Sequence, residues 1–460
     1  MADALNGAPA PPQRVGRRYL QRALDALRGV PGAFRRLPGA IRDGAAATEI
    51  DLRLFGMLLA LAAILIGFHI QSGGTLIQPA NIITMTVQAS GIAIMATGMV
   101  LVIVSRNIDL SVGSIVGVVA MSYALLMTDW LPALGLGLDT PFQWLVALAV
   151  GLGLGAFIGG FQGFLIAYVG IPSFIVTLGG LLSLRGTVWL MSEGAAVSGL
   201  QTEFRKIGGG VLGSIGEVAT WVVAGVACLA IIGLVIYNRR QRQRFGFPVR
   251  PMWAEVLLGA IGCAAAIGLS AFANSNYLPP GLATQYAVDH GITEPAGGLK
   301  VPMGFPWPIL LVMGVTLAMA FLATRRRFGR YVYAYGGNPD AADLAGINTR
   351  FTIMKTFVLM GVLCAIAAAI GSARLNGATL DVGQIDELYV IAAAVVGGTS
   401  FAGGIGTIPG AVLGAFVMQA LAYGMSFNGV NSPTQDVVAG IVLIIAVGFD
   451  TYNRRRGSSR

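Results

Sequence analysis

The chain alternates long apolar runs with short polar segments. A run of about 20 apolar residues is long enough to cross a bilayer as a helix. Runs of this kind begin near Arg53, Ile82, Val112, Trp144, Ser173, Val218, Met252, Trp307, Phe351, Leu388, Gly410 and Gln435. The pattern predicts an all-α polytopic membrane protein of about 12 transmembrane helices, with 53–452 as the transmembrane domain. The span boundaries are loose by several residues, so counts of 10 or 11 fit the same pattern.

Composition supports a membrane protein. Only 11% of residues are charged, 55% are hydrophobic and the mean hydropathy is +0.74, whereas soluble domains have roughly 25% charged and 45–50% apolar residues. Glycine is abundant, at 65 of 460 residues, which suits close helix packing in lipid. The cysteines, Cys228, Cys263 and Cys364, lie singly in apolar runs. They therefore predict neither a metal site nor a disulfide framework.

The first 52 residues are basic and contain no apolar run that could serve as a signal-peptide core. We interpret 1–52 as a retained cytoplasmic tail. Leu20, Leu24 and Leu27 lie on one face of a possible interfacial amphipathic helix, opposite several arginines, which fits binding to anionic lipid headgroups. A DNA-binding arm is the competing use of this charge, but no aromatic or base-reading pattern accompanies it.

The distribution of charge predicts the orientation. With the basic tail in the cytoplasm and the spans alternating from there, nearly all of the 30 lysines and arginines lie inside. The exceptions are Arg185, Arg205, Lys206, Lys300 and Arg374. Such a bias follows the positive-inside rule. It places both termini in the cytoplasm, including a basic tail at 453–460, and puts the loop 328–350 on the same side.

The loop 328–350 contains the signals of one short helix. Asn338 suits an N-cap, Pro339 suits the first helical position, and Gly346 suits the left-handed residue after a helix. A helix of about two turns is predicted between them. The alternative is an ordinary solvated connector.

Polar residues inside or beside spans are candidates for a solute path, because in lipid they must find partners or line a wet cavity. For Thr86 and Gln88, satisfaction by packing is the alternative. Asp109 in the turn Ser105–Ser114 could cap the third span or act as a proton relay. Arg185 lies in a Pro- and Gly-containing segment, which fits either a broken helix along a path or one tilted helix with a snorkelling arginine.

Two kinds of active site are absent from the pattern. The glycine string from Gly397 to Gly410 is not followed by Lys-Ser/Thr, so it is not a phosphate-binding P-loop. We interpret it as close helix crossing and an unwound inner turn. His69 and His290 stand alone, without the convergent groups that metal or nucleophilic catalysis needs. No catalytic residue, metal site or ATP site is predicted.

Four segments together carry a family likeness. RNIDLSVGS at 106–114, IPSFIVTLGGLLSLRG at 171–186, FGRYVYAYGGNPDAADLAGI at 328–347 and ELYVIAAAVVGGTSFAGGIGT at 387–407 resemble the permease subunits of ribose- and xylose-type ABC importers, in the same order. Such permeases resemble this chain over about 82–450. The resemblance implies a multi-pass permease of the bacterial inner membrane that imports a monosaccharide and is not itself an enzyme.

The same resemblance gives the short helix a role. Importer permeases have a Glu-Ala-Ala sequence, three further residues and a Gly in an inner loop, which forms the coupling helix that docks on the ATPase. Here Asp replaces Glu, and a later Ile-x-Leu-Pro part of the broad motif is absent. The implied ATPase-coupling helix comprises Asn338, Pro339, Asp340, Ala341, Ala342, Asp343, Leu344 and Gly346. A rigid helix suits this task because it transmits a rigid-body movement.

The resemblance also implies partners. These are a second permease copy, a cytoplasmic ABC ATPase that binds ATP and Mg²⁺, with two fused nucleotide domains as one possibility, and a periplasmic sugar-binding protein. No nucleic acid is expected. The candidate translocation path or gate comprises Thr86, Gln88, Asp109, Ser111, Phe174, Thr177, Arg185, Glu387 and Thr399.

The segment 238–306 resembles an insertion that adds two spans to a ten-span plan, a form typical of xylose-type permeases. Xylose or a similar pentose is therefore the expected cargo. The alternatives are the same machinery with a nucleoside, a branched-chain amino acid or another sugar, and an ion-coupled secondary transporter. The last would need a carboxylate deep in the bundle, whereas Asp109, Asp386, Glu387 and Asp436 lie near span ends.

Overall fold

The computed structural model describes residues 52–289, 291–292 and 298–457. The predicted amphipathic helix of the N-terminal tail lies outside these residues, as do His290 and the last part of the C-terminal tail. The predicted orientation of the termini stays a prediction. Below, "inner" and "outer" denote the sides that the positive-inside count assigns to the cytoplasm and to the outside.

The described chain is helical, as predicted. In chain order the helices are α1 Leu52–Gln71, α2 Pro79–Val104, α3 Val112–Leu125, α4 Gln143–Phe164, α5 Ser173–Ser192, α6 Thr202–Arg205, α7 Gly216–Arg244, α8 Met252–Asn274, α9 Pro280–Asp289, α10 Trp307–Arg325, α11 Arg327–Gly337, α12 Pro339–Leu344, α13 Thr349–Leu375, α14 Asp386–Val396, α15 Ile408–Phe427 and α16 Ser432–Gly457. A short π-helical turn, Leu126–Trp130, extends α3 and is followed by a single α turn, Leu131–Ala133. A second π-helical turn, Leu165–Val169, extends α4, and a 3₁₀ turn, Lys206–Gly208, follows α6. Two-residue strands, β1 Val197–Ser198 and β2 Gly377–Ala378, pair antiparallel in the outer loops.

Ten of the described helices are long and apolar enough to cross a membrane, so the expectation of a polytopic membrane protein is confirmed. The span predicted from Leu388 is wrong in length, because α14 is an 11-residue helix that ends at Val396. The following glycines take the backbone out of the helix; Gly398, for example, has φ +98. In α16 the part whose side chains the structure describes contains a shorter apolar stretch, Ser432–Gly448.

The chain divides into two compact units. The first includes Leu229–Cys263, which contains the end of α7 and the start of α8. Within it, Arg239 and Glu255 form an ion pair of 2.6 Å. The second comprises 51–228 and 264–460 and contains the helices discussed below. Of the described residues in 238–306, α8 is the one helix of span length.

Helices α2, α3, α13 and α15 supply most of the core of the second unit. Small residues let the helices approach each other closely, as expected where lipid gives no hydrophobic drive for association. A Cβ added at Gly155 would collide with the carbonyl oxygen of Gly361, and one added at Gly159 with that of Phe357. The contact between α4 and α13 is therefore one of backbone against backbone.

Helix α5 settles one alternative left by the sequence. It runs without a break from Ser173 to Ser192, and Pro172 precedes it as the N-cap residue. Proline suits a helix start because its missing N–H would have no helical partner there. The broken-helix interpretation of this segment is therefore wrong, and Arg185 is half-buried within a single helix.

Candidate functional site

The predicted short helix is present as α12, and its ends are built by the residues that predicted it. The side chain of Asn338 accepts a hydrogen bond from the backbone N–H of Ala341 at 3.1 Å, which is the action of an N-cap. At the other end Gly346 has φ +78. Its N–H donates to the carbonyl of Asp343, and the N–H of Ile347 donates to that of Ala342. This pair of bonds is a Schellman motif, so α12 is capped at both ends.

One side of α12 is buried and the other is exposed to solvent. Ala342 is 4% exposed, whereas Leu344 is 89% exposed. Asp343 accepts a hydrogen bond of 2.8 Å from the hydroxyl of Thr349, at the start of α13, so the helix is tied to a span-length helix. A large apolar side chain held in solvent gains free energy when a partner protein covers it.

A second helix, which the sequence did not predict, precedes α12. Helix α11, Arg327–Gly337, lies along the loop and buries Gly329, Val332 and Gly336. Apolar and small residues at helical spacing, amid arginines and tyrosines, were the signal that would have revealed it. The loop 328–350 is therefore a two-helix module; "inner module" below means α11 and α12.

Arg106 attaches the inner module to the turn between α2 and α3. Its Nε donates to the carbonyl of Gly336 at 2.8 Å and its Nη2 to that of Gly337 at 2.9 Å. These carbonyls belong to the last turn of α11, where a helix has no internal donors left to satisfy them. A guanidinium also complements the negative end of the helix dipole.

The glycine loop 397–407 also contacts the α2–α3 turn and the inner module. The N–H of Gly404 donates to the carbonyl of Val104 at 3.0 Å, and the Tyr333 hydroxyl donates to the carbonyl of Gly406 at 2.7 Å. Burial raises the pKa of Tyr333 to about 12, so its hydroxyl keeps the proton that this bond needs. The inner module thus contacts both the α2–α3 turn and the loop between α14 and α15.

Three of the nine candidate path residues meet at the α2–α3 turn. Asp109 is buried, and its Oδ1 accepts hydrogen bonds from the N–H and the hydroxyl of Ser111 at 2.9 and 2.6 Å. The Ser111 hydroxyl also lies 3.0 Å from Oε1 of Gln162, and the Thr177 hydroxyl lies 3.4 Å from the carbonyl of Ile108. Asp109 therefore braces the turn before α3 rather than capping the helix itself. Burial raises its pKa above the ordinary 3.8.

The other candidates are dispersed. Thr86 bonds within its own helix to the carbonyl of Ile82, and Phe174 is 52% exposed. Glu387 and Thr399 are buried, and within the described structure neither Glu387 Oε2 nor Thr399 Oγ1 has a hydrogen-bond partner. The structure does not bring the nine candidates together into one site.

Gln88 has a partner that sequence reasoning missed. Its Oε1 accepts a hydrogen bond from Nε2 of Gln419 at 3.2 Å, which joins α2 to α15. Gln419 was visible in the sequence as a lone amide in the apolar run GAVLGAFVMQALAY. Among the described residues, no group of three or more His, Cys, Asp or Glu could hold a metal ion.

Similarity to known proteins assigns the chain to a family. The family described as "Branched-chain amino acid transport system / permease component" matches residues 81–447. The xylose transport system permease protein XylH of Escherichia coli (strain K12) is 35% identical over 409 residues, covering 89% of this chain and 94% of that protein. The XylH protein of Haemophilus influenzae is 34% identical, with 89% and 98% covered.

A ribose import permease protein, RbsC of Escherichia coli (strain K12), is 30% identical over 80% of this chain and 85% of that protein. No solved structure matches the chain. The predicted resemblance to ribose- and xylose-type permeases is therefore confirmed. With a matched segment that runs from α2 into α16, the chain belongs to this family of multi-pass membrane permease components.

Proposed function

We propose that this chain is the membrane-spanning subunit of an ATP-driven importer that carries a monosaccharide, xylose or a similar pentose, across the bacterial inner membrane. In this proposal it works with a second copy of itself, a cytoplasmic ABC ATPase that binds ATP and Mg²⁺, and a periplasmic sugar-binding protein. The chain itself hydrolyses nothing and needs no cofactor of its own. The names of the xylose and ribose relatives support the choice of cargo.

The inner module is the observation that carries the proposal. A capped helix with an exposed leucine is fixed through α11 to the α2–α3 turn and to the loop before α15. Because these contacts join rigid elements, a force on α12 would be passed to several spans together. We assign Asn338, Pro339, Asp340, Ala341, Ala342, Asp343, Leu344 and Gly346 to this coupling helix, within the cytoplasmic loop 328–350.

Leu344 gives the sharpest test of the coupling role. Leu344→Asp should abolish co-purification of the ATPase and ATP-dependent uptake, because the interface would lose the burial of a leucine, worth about 1.5–3 kcal/mol, and would have to desolvate a carboxylate. The side chain is already in solvent, so the fold should be unchanged. Leu344→Met, which keeps an apolar chain of similar size, is the matched control and should bind. If Leu344→Asp still retains the ATPase, α12 is not the coupling helix.

Substitutions at Ala342 and Gly346 test the coupling role less specifically than those at Leu344. Ala342 is buried against the module, and the φ of +78 at Gly346 strains any larger residue. A bulky charged residue at either position should abolish uptake while the protein remains inserted, but part of that loss would come from damage to the module itself. Leu344 separates docking from local folding.

Uptake in the host organism tests the cargo. Cells should accumulate labelled xylose, or a related pentose, and a deletion of this chain should abolish that uptake. A nucleoside or leucine that is taken up through this chain, with no sugar uptake, would identify the alternative cargo of the same machinery.

The remaining assignments concern topology. We propose that 1–52 and 453–460 are basic cytoplasmic tails, that 53–452 is the permease domain, and that 238–306 is an insertion relative to shorter permeases. A cysteine placed in 328–350 should react with a membrane-impermeant maleimide only in inverted vesicles.

We also propose that nine residues contribute to the path or its gates: Thr86, Gln88, Asp109, Ser111, Phe174, Thr177, Arg185, Glu387 and Thr399.

A further inference from the structure

A polar cavity of about 380 Å³ lies beside the Gln88–Gln419 hydrogen bond. Its walls come from α2, α3, α13, α15 and the segment that leads into α14. The two amides face it together with Thr379, Arg374, Asp381 and Asp386. Small-molecule sites in proteins commonly measure about 300–1,000 Å³, so this cavity has room for a small ligand.

The cavity continues toward the predicted outer side. A second cavity of about 500 Å³ lies against the outer loops, where Arg205, Asn276 and Tyr277 line it. Val87 and Arg374 line both cavities, so the two adjoin at these residues. A solute released at the outer loops would therefore meet the Gln88–Gln419 pair next.

The chemistry of the lining selects among small solutes. A side-chain amide both donates and accepts hydrogen bonds, as does the hydroxyl group of a sugar. The Gln88–Gln419 bond uses one oxygen and one nitrogen of the pair, which leaves the second amide nitrogen and oxygen to bond a ligand. Arg374, Asp381 and Asp386 bring charges of both signs to the same cavity, so the lining is not the single-sign surface expected of a dedicated cation or anion site.

The cavity also lacks the features of a tight sugar site. Apolar residues line part of it, but none of the described lining residues is aromatic, whereas high-affinity small-molecule sites usually include aromatic side chains. Weak binding is what a transport path requires, because a solute must leave the site as readily as it enters.

We infer that this cavity is a low-affinity transit site for one monosaccharide, in which the amides of Gln88 and Gln419 bond the sugar hydroxyls. The inference rests on the proposed function and adds to it a discrete sugar site inside the permease. Gln419, Arg374 and Thr379 join Gln88 as residues that contact the passing sugar.

Gly371 offers a way to fill the cavity without disturbing the helices. It lines the cavity on α13, and a Cβ added there would have nothing within 4 Å. Gly371→Leu should therefore occupy the site and reduce xylose or ribose uptake at least about tenfold, the effect of losing roughly 1.4 kcal/mol. Gly371→Ala should keep nearly full uptake, because a methyl group leaves most of the space open.

The matched control is Gly314→Leu. Gly314 lies in α10, outside the lining of this cavity, and a Cβ there also meets nothing within 4 Å. The control carries the same substitution in another span-length helix and should transport normally. The Gly371→Leu protein should still co-purify with the ATPase, which shows that it is folded and assembled.

The amides are tested by selectivity, which a purely structural role would not change. Gln88→Leu and Gln419→Leu should each lower sugar uptake, and loss of an amide that bonds the one hydroxyl at which xylose and ribose differ in configuration should alter the ratio of their uptake by about fivefold, the value of one hydrogen bond of about 1 kcal/mol. Uptake is measured in host cells with labelled xylose and ribose, together with the ATPase content of the purified complex.

The outcomes separate the two proposals. If the wild-type chain imports neither sugar, the proposed cargo fails and the sugar site fails with it. If the wild type imports sugar but Gly371→Leu transports as well as Gly314→Leu, the importer assignment stands and the transit site is wrong. Wild-type uptake of both sugars in both amide variants would also contradict hydroxyl recognition by these side chains.

Discussion

The inner junction around Gly336 and the outer cavity beside Gly371 are packed differently. At the inner end, backbone packs on backbone: a Cβ added at Gly336 would collide with the carbonyl of Val104 and with the nitrogen of Gly404. At the outer end, Gly371 borders a cavity, and a Cβ there would meet nothing within 4 Å. At these two positions, therefore, glycine provides close contact in one case and open space in the other.

The difference matches two mechanical needs of a permease driven by a partner. A region that transmits movement must be stiff, and close-packed interiors have low compressibility and pass strain on. A region that passes a solute needs room and exchangeable hydrogen bonds. We expect substitutions at the inner end to act on stability and coupling, and those at the outer end to act on transport and selectivity.

The largest effect should come from Gly336. Gly336→Ala forces the α2–α3 turn and the glycine loop away from α11, and such overpacking costs about 1–3 kcal/mol. The neighbouring Gly337 has nothing within 4 Å of an added Cβ, so Gly337→Ala is the matched control. Thermal unfolding of the purified protein should show a lower midpoint for Gly336→Ala alone. Equal midpoints would mean that this junction is not tightly packed.

A smaller effect is expected from Arg106. Arg106→Gln removes the charge-assisted bonds to Gly336 and Gly337. Because the residue is exposed, we expect a loss of about 1 kcal/mol, at the low end for such bonds. The more informative measurement is hydrogen exchange, which should rise in 327–337 while the spans stay protected. Unchanged exchange there would show that Arg106 does not hold α11.

The smallest effect should come from Asp109. Burial raises its pKa above 3.8, so the folded protein favours the protonated acid. The stability this provides is full at low pH and is lost as the pH rises through the pKa of the folded state. Asp109→Asn mimics the neutral acid, should change stability at low pH by no more than about 1 kcal/mol, and should flatten the fall of the unfolding midpoint as the pH rises above 3.8.

The same variant tests a proton relay. If Asp109 only braces the turn, Asp109→Asn should leave the pH dependence of sugar uptake as in the wild type. Loss of that dependence would favour an ion-coupled transporter instead.

Local signals in the sequence predicted some elements well. Asn338, Pro339 and Gly346 identify α12 because capping depends on neighbours in the chain. The apolar runs likewise predict the span-length helices. The span predicted from Leu388 was too long, because glycines end the helix after Val396. Hydropathy measures only how apolar a segment is and does not predict where its backbone leaves the helix.

Contacts between segments far apart in the chain could not be predicted from the sequence. Arg106 is 230 residues from Gly336, and Gln88 is 331 residues from Gln419. Each looks like an isolated polar residue until the fold supplies its partner. The cavity escaped prediction for the same reason, since its lining comes from segments spread between Val87 and Gln419. Path candidates chosen by residue type alone were therefore dispersed.

The central claim is that a partner ATPase drives transport through this chain. The direct measurement is sugar accumulation in sealed vesicles that contain the purified chain, with and without its ATPase and sugar-binding protein. We predict that accumulation requires both partners and ATP, and that the chain alone is inert under a proton or sodium gradient. Accumulation of xylose or ribose by the chain alone under such a gradient, with no nucleotide present, would contradict the account.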